Sequence, residues 1–257
     1  MTLQEKADRL LTLHEDPKLL TVVNVWDPIS AKVVAAEPGT EALATASHSI
    51  AASFGYDDGE QIPLELHLEA IGRIVETTDL PVSADLEAGY GDVGETIRRA
   101  IGVGVVGANI EDQLKPLDEA VRGVEAALAA GEAEGIPFVL NARTDAFVRG
   151  GDRTPAENLQ DAVTRGQAYL AAGAPVVFVP GRLDEHQVKT LVDAFGPRRL
   201  SVIAVPGSLP LITLEALDVA RVSFGPWSQR VALTALQDLV RGVHTGQAIP
   251  EGTRPLN

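Results

Sequence analysis

Short β-branched apolar segments alternate with longer amphipathic segments over almost the whole chain of 257 residues. This alternation is typical of repeated βα units, whose strands lie side by side in a parallel sheet. The predicted strands are residues 20–25, 42–47, 81–87, 107–112, 137–143, 175–181, 200–205 and 221–226. Eight strands, each followed by a helix, predict an α/β fold of the (β/α)8 (TIM) barrel type.

The amphipathic segments predict the helices of the same barrel. They lie near residues 2–15, 28–37, 63–78, 94–103, 116–134, 154–172, 183–195, 209–218 and 227–244. Thr154, Pro155 and Glu157 predict a capping box at the start of one of them. No linker rich in Gly, Pro and Ser divides the chain, so we predict one domain over residues 1–257, with the barrel at about 20–244 and a tail at 245–257.

A doubly wound open sheet is the main alternative, because it uses the same βα units. The eighth strand argues for a closed barrel, and no G-x-G-x-x-G motif follows the first strand. The sequence therefore predicts neither a dinucleotide site nor an open sheet.

Charge and composition exclude several classes of function. The formal net charge of −15 argues against nucleic acid and against anionic membrane surfaces as partners. The first twenty residues carry charges throughout, unlike a secretory signal, and no apolar stretch approaches the roughly 18 residues of a membrane span. We expect a cytoplasmic protein. The chain has no cysteine, which excludes a thiolate nucleophile and cysteine-ligated metals.

Acidic residues collect where the predicted strands end, which is where barrel enzymes carry their active sites. Asp85 and Glu87 are two residues apart on one strand and are expected to share a face. Glu111 on the next strand and Asp58 in an earlier loop are expected to converge on them. Oxygen ligands favour a hard cation such as Mg²⁺ or Mn²⁺. The alternative is that some of these acids are solvated loop residues.

Three further residues lie near the predicted barrel mouth. Arg143 ends an apolar strand and could either neutralise the neighbouring acids or bind a substrate carboxylate with its planar guanidinium. His48 could be an acid/base group or a polar loop residue, and Trp26 could pack, stack on substrate or do both. The five lysines lie outside the predicted strands, which argues against a Schiff-base aldolase, and only Lys115 could reach the mouth.

Six segments in order carry a resemblance that runs from about Val22 to Leu236. They are NVWDPISAKVV (24–34), ATASHSIAASFGYDDGE (44–60), SADLEAGYGD (83–92), GANIEDQ (107–113), NARTDAF (141–147) and SFGP (223–226). With these segments the chain resembles the isocitrate lyase and phosphoenolpyruvate mutase superfamily. Its members are Mg²⁺-dependent (β/α)8 barrels that make or break a C–C or P–C bond next to a 2-oxo acid through an enolate-like state.

The resemblance implies roles for several residues of this chain. Asp85 corresponds to the direct metal ligand, and Asp58, Glu87 and Glu111 correspond to the residues that hold metal-bound waters. Arg143 corresponds to the arginine that binds substrate. The remaining substrate-binding candidates are Trp26, Ser47, His48, Ser49 and Ser201. The resemblance also implies a homo-oligomer, commonly one in which the last helix, here 227–244, is exchanged between subunits.

The chain departs from the best-known members in its loops. The loop after the fourth strand reads QLKPLDEA (113–120) and lacks the cysteine that acts in proton transfer in isocitrate and methylisocitrate lyases. The phosphonate-processing members carry a longer gating loop that is also missing. Glu87 stands where aspartate is usual, and Ser201 where many relatives have asparagine. Tyr90, His48 or a metal-bound water must therefore replace the cysteine as proton donor.

Three functions remain open from the sequence. The first is a Mg²⁺-dependent lyase that cleaves a C–C bond of a small 2-oxo or 2-hydroxy carboxylate by retro-aldol cleavage or decarboxylation. The second is phosphonomutase or phosphonopyruvate hydrolase chemistry on a P–C bond, for which the loop offers only Lys115. The third is a catalytically silent protein that binds a 2-oxo acid.

Overall fold

The predicted parallel sheet closes on itself in the computed structural model, which describes residues 1–256. All strand pairs are parallel, and the strand order is β1-β9-β8-β7-β6-β5-β4-β3-β2. The strands are β1 (Leu20–Val22), β2 (Asn24–Val25), β3 (Leu43–Thr45), β4 (Val82–Asp85), β5 (Gly107–Glu111), β6 (Val139–Arg143), β7 (Val176–Val179), β8 (Leu200–Ile203) and β9 (Arg221–Ser223). The predicted α/β barrel of a single domain is confirmed.

The barrel closes through a break in the first predicted strand. Residues 20–25 form two short strands separated by Val23, which is exposed. β1 pairs with β9, whereas β2 pairs with β3. Residues 20–25 therefore pair with the last strand through β1 and with the following strand through β2. This closes the barrel and leaves the sheet without a free edge.

Helices surround the strands on the outside of the barrel. They are α1 (Leu3–Glu15), α2 (Pro28–Ala35), α3 (Ser47–Ser53), α4 (Leu64–Val75), α5 (Val93–Gly102), α6 (Leu117–Ala133), α7 (Pro155–Ala171), α8 (Glu185–Phe195), α9 (Leu211–Ala216) and α10 (Trp227–His244). The predicted capping box of Thr154 and Glu157 is present at the start of α7. The short helix α3 was not predicted, and it begins at Ser47, where the sequence predicts the end of a strand.

Helix α1 packs across the end of the barrel at which the strands begin. Leu10 on α1 belongs to a buried cluster with Val106 and Val139, at the starts of two neighbouring strands. The backbones approach closely here, since a Cβ at Gly107 would lie 2.7 Å from the carbonyl oxygen of Val139. Helix α1 therefore covers the end of the barrel opposite to the strand ends that carry the predicted site residues.

The remaining structural features concern the chain end and the membrane. Residues 245–256 contain no helix or strand, and the last residue of the predicted tail, Asn257, lies outside the described residues. Across residues 1–256, every helix is too short or too polar to cross a bilayer.

Candidate active site

A cavity of about 260 Å³ opens at the ends of the strands. Its walls are formed by side chains and backbone from the ends of β2 to β9 and from the loops that follow them. The polar residues that line it are Asn24, Ser47, His48, Asp58, Asp85, Asn109, Arg143 and Ser223. Five predicted site residues therefore share one cavity: Ser47, His48, Asp58, Asp85 and Arg143.

Asp85 is the last residue of β4 and lines this cavity. Ser47 donates to its Oδ2 atom from both the backbone N–H, at 3.2 Å, and the hydroxyl, at 2.9 Å. The amide of Asp85 in turn donates to Thr45 Oγ1 at 3.1 Å. Its other oxygen, Oδ1, is buried and has no hydrogen-bond partner within residues 1–256. A buried carboxylate oxygen without a partner is costly, which makes it a suitable ligand for a cation.

The Ser47 hydroxyl connects Asp85 to the second predicted metal residue. It lies 3.5 Å from Asp58 Oδ1 as well as 2.9 Å from Asp85 Oδ2. Since Ser47 is in the first turn of α3, the unpredicted helix is the element that joins these two acids.

Glu87 lies in the turn after β4 and not, as the sequence predicts, on the strand. The prediction that it shares a strand face with Asp85 is wrong, because β4 ends at Asp85 and Glu87 has a positive φ of 54°. Its carboxylate instead accepts a hydrogen bond from the Glu60 backbone N–H. Burial, followed by the charges of Asp85 and Asp58, raises the pKa of Glu87 to about 7.

Glu111 and Asp145 hold Arg143 in the cavity wall. Arg143 Nη1 lies 2.8 Å from Glu111 Oε2, and its Nε donates to Asp145 Oδ1 at 2.8 Å. Burial raises the pKa of Glu111 to about 7, although the charge of Arg143 acts in the opposite direction. The guanidinium is thus fixed by two contacts that leave Nη2 for a ligand.

The oxygen donors of the site fit a cation such as Mg²⁺ that keeps most of its waters and has few direct protein ligands. Among residues 1–256, no three acidic or histidine side chains converge closely enough to enclose a metal ion on their own. Mg²⁺ usually retains several waters and contacts one or two carboxylates directly. Asp85 with its free Oδ1 suits the direct contact, and Asp58, Glu87 and Glu111 are the acids that would hold waters.

The other predicted site residues lie outside the cavity lining. Trp26 lines a separate apolar groove between α2 and α10. Ser201 and Ser49 are buried, and the hydroxyl of each is without a hydrogen-bond partner in the described part of the chain. The Tyr90 hydroxyl lies 2.9 Å from His67 Nδ1 and donates to Glu87 Oε1 at 3.4 Å.

His48 is in the cavity wall with one ring nitrogen free. Its Nδ1 is buried and makes no hydrogen bond within residues 1–256. Burial and the charge of Glu87 raise the pKa of Tyr90, so this phenol stays protonated at neutral pH. Of the two proton donors predicted among the side chains, only His48 lines the cavity directly.

Two buried groups near the site were not predicted as functional. Arg221 on β9 is 1% exposed, and its Nη1 donates to Ser83 Oγ at 3.1 Å. Its Nε and Nη2 find no partner in the described chain, and burial lowers its pKa to about 10. Asp112 joins the loops after β5 and β6 through Oδ1, which accepts the backbone N–H of both Leu114 and Asp145. The sequence signal for Arg221 was an arginine at the start of an otherwise apolar strand.

The raised pKa values predict how stability depends on pH. The carboxyl of Glu87 ionises near 4.5 when unfolded and near 7 when folded, so the unfolded chain loses its proton first. Its contribution to the free energy of unfolding therefore falls as pH rises from about 4.5 to about 7. In metal-free protein, Glu87→Gln should show a smaller fall in Tm between pH 5 and pH 7.5 than wild type. Equal pH dependence of the two proteins would contradict this assignment.

Comparisons with known proteins agree on one family. The model of a family described as phosphoenolpyruvate phosphomutase matches residues 10–244. Oxaloacetate decarboxylase of Paraburkholderia xenovorans is 30% identical over 95% of this chain and 84% of its own length. 2-Methylisocitrate lyase of Escherichia coli is 30% identical over 85% of this chain and 76% of its own.

Solved structures extend the same likeness to the fold. A Burkholderia cenocepacia protein provisionally described as a phosphonomutase is 38% identical with a TM-score of 0.86, and the match covers 93% of this chain and 98% of that one. Oxaloacetate acetylhydrolase in complex with its product oxalate is 25% identical with a TM-score of 0.85, covering 99% of this chain and 92% of that one.

Proposed function

This chain belongs to the phosphoenolpyruvate mutase and isocitrate lyase superfamily, and from that premise we propose that it is a Mg²⁺-dependent lyase. Its reaction would cleave a C–C bond of a small 2-oxo or 2-hydroxy carboxylate, by retro-aldol cleavage or decarboxylation, through an enolate. Its relatives include a decarboxylase and two lyases. The superfamily comprises lyases, decarboxylases and mutases of small carboxylates.

The observation that carries the proposal is the pairing of Asp85 and Arg143 in one cavity. Asp85 offers a buried, unpartnered carboxylate oxygen for a cation. Arg143 offers a guanidinium that Glu111 and Asp145 already hold in position. A cation site and an arginine together match a 2-oxo acid, whose carboxylate and oxo oxygens can chelate a metal while the carboxylate also binds the arginine.

When bound, Mg²⁺ would supply Lewis-acid stabilisation of negative charge developing on the substrate. Asp85 would hold it directly, and Asp58, Glu87 and Glu111 would hold its waters. Arg143 would bind and orient the substrate carboxylate, which lowers the entropic part of the barrier. The first turn of α3, at Ser47, supports the Asp85 carboxylate and closes one side of the cavity.

We assign the return of the proton to the enolate carbon to His48. Its side chain lines the cavity and its Nδ1 is free of other hydrogen bonds in the described residues. An imidazole can accept a proton on a ring nitrogen and pass it on, which suits a role as general acid. Tyr90 would affect the site only through Glu87, since its hydroxyl contacts Glu87 and His67.

The direct test is Mg²⁺-dependent binding of oxalate, a two-carbon analogue of an enolate of a 2-oxo acid. Asp85→Asn is expected to weaken this binding about 100-fold, because it removes the charge from the proposed direct ligand. Asp118→Asn is the matched control, since Asp118 is an exposed acid on α6 that contacts Arg122. Isothermal titration measures the oxalate affinity of both variants, and oxalate binding that does not depend on Mg²⁺ would refute the proposal.

Phosphonate chemistry is the weaker candidate. It needs a cation for the phosphoryl group, but Lys115 lies 3.6 Å from Glu119 on α6 and is absent from the lining of the cavity. Phosphorus NMR of phosphonopyruvate with the Mg²⁺-loaded protein distinguishes P–C cleavage from the proposed reaction. Tight binding of oxalate with no turnover of any 2-oxo or 2-hydroxy acid would instead indicate a silent binding protein.

We also propose that the protein is a homo-oligomer that buries helix α10. Leu233, Leu236, Val240 and Val243 recur three and four residues apart, so they share one face of α10. All four are exposed, between 44% and 55%. A second copy of the chain is the expected cover, whether by contact or by exchange of the helix.

This proposal predicts a change in molecular mass. Leu236→Glu places a charge on the exposed apolar face of α10 and is expected to shift the protein to monomers in light scattering after size exclusion. Gln237→Glu adds the same charge on an exposed neighbouring position of α10 and should leave the mass unchanged. A wild-type monomer, or an oligomer that survives Leu236→Glu, would contradict the proposed interface.

A further inference from the structure

We propose that the cavity accepts a 2-oxo or 2-hydroxy acid with a single carboxylate and an uncharged aliphatic chain beyond C3. Of the two proposed reactions this leaves retro-aldol cleavage, because decarboxylation to an enolate needs a second carboxylate on C3. The inference rests on the proposed function and narrows its substrate class. It follows from the way the barrel divides polar and apolar side chains between its two halves.

One half of the barrel supplies the polar wall of the cavity. The adjacent strands β2 to β6, with their loops, contribute Asn24, Ser47, Asp85, Asn109 and Arg143. Among them, Asp85 is the residue to which the proposed function assigns the metal ion, and Arg143 is the one to which it assigns the substrate carboxylate. The reacting end of the substrate is therefore expected to bind against this half.

The other half supplies an apolar wall. The adjacent strands β7 to β9 and the loops around them are the main source of this wall. The apolar lining side chains are Val148, Phe178, Pro180, Ile203, Val205 and Pro226. Ser223, which is 3% exposed, is the only polar side chain that this half contributes to the cavity lining in the described chain. A substrate held at the polar wall must extend its remaining carbons along these apolar side chains.

A second substrate carboxylate would find no free cation on this wall. Arg143 is the only Lys or Arg in the cavity lining that residues 1–256 provide, and two of its nitrogens contact Glu111 and Asp145. Arg149 contacts the same two acids from outside the lining. Arg182, in the loop after β7, donates its Nε to the Gly207 carbonyl oxygen at 3.1 Å.

The energetic consequence distinguishes two classes of substrate. An aliphatic chain gains free energy by leaving water for the apolar wall, by about 0.8 kcal/mol for each buried CH₂ group. A terminal carboxylate placed there loses its hydration without gaining a partner. The cavity should therefore select against 2-oxo dicarboxylates of the same chain length.

A matched pair of ligands tests this selection. 2-Oxopentanoate and 2-oxopentanedioate have five carbons each and differ only in the terminal carboxylate. With the Mg²⁺-loaded protein, isothermal titration is expected to give a Kd about tenfold lower for 2-oxopentanoate. Tighter binding of the dicarboxylate would overturn the inference, and Arg149→Gln and Arg182→Gln would then identify the cation responsible.

Two variants and oxalate separate this inference from the proposed function. Val205→Lys should reverse the preference and bind 2-oxopentanedioate more tightly, whereas Val205→Ala should bind 2-oxopentanoate more weakly than wild type. Both variants should keep wild-type affinity for oxalate, which is too short to reach the apolar wall. Retained oxalate binding also shows that the variants fold. If oxalate binds with Mg²⁺ but the pair of five-carbon acids shows no preference, only the inference fails. If oxalate does not bind, the proposed function fails, and the inference falls with it.

Discussion

Arg143→Met is expected to weaken Mg²⁺-dependent binding of oxalate about 1,000-fold, because a partly buried guanidinium facing a bound carboxylate contributes several kcal/mol to affinity when it is truncated. Methionine keeps the approximate length of the side chain but cannot donate hydrogen bonds. Without the Arg143 guanidinium, Glu111 and Asp145 also lose one of the two positive charges that compensate them. The pKa of Glu111, already raised by burial, is expected to rise further.

Arg149→Met provides the matched control. Arg149 contacts the same two acids, with Nη2 3.6 Å from Glu111 Oε1 and Nε 3.0 Å from Asp145 Oδ2, but it does not line the cavity. If Arg143 binds the ligand, titration should show a loss of only a fewfold for the control. A similar loss in both variants would mean that the arginines act by compensating the acids, and the role of Arg143 as a substrate clamp would be refuted.

The barrel could be predicted from sequence because its signal is repeated along the chain. Each strand is a short apolar segment between turn residues, and the repeat of eight excludes most other folds. The break at Val23 could not be predicted, since residues 20–25 form one continuous apolar pattern and closure depends on pairing with β9 and β3. Helix α3 was also missed, because Ala46 precedes it and offers no side-chain cap.

The candidate site was predicted in part for a related reason. Parallel strands finish at one edge, so residues at the strand ends converge, as Asp85, Arg143 and Ser47 do on the cavity. The depth of a side chain and its direction after a strand ends are not encoded in this pattern. Ser201 is therefore buried beside the lining residues instead of among them, and Glu87 leaves β4 through a left-handed turn. The functional roles of these residues remain predictions.

A buried network around Asp112 shows what sequence patterns omit most completely. Its Oδ2 accepts the Tyr169 hydroxyl at 2.6 Å and Arg165 Nη1 at 3.2 Å. Its Oδ1 accepts the backbone N–H of Leu114 at 2.9 Å and of Asp145 at 3.0 Å. Tyr169 and Arg165 are more than 50 residues away on α7, so nothing local in the sequence links them to Asp112.

Asp112→Ala is expected to lower the free energy of unfolding by about 3–5 kcal/mol, because it leaves Arg165 and the Tyr169 hydroxyl buried without this acceptor. The fall in the urea midpoint measures it. Asp161→Ala is the control, since Asp161 also contacts Arg165 but is partly exposed and should cost about 1 kcal/mol or less. Equal losses of unfolding free energy in the two variants would show that Asp112 contributes no more to stability than Asp161.

The same variant should also affect ligand binding through the loop after β6. Asp112 accepts the amide of Asp145, and Asp145 holds the Nε of Arg143. Loosening that loop is expected to weaken Mg²⁺-dependent oxalate binding in Asp112→Ala at temperatures where the protein remains folded, whereas Asp161→Ala should bind normally. Unchanged oxalate affinity in folded Asp112→Ala would show that the network around Asp112 contributes to stability only and does not position Arg143.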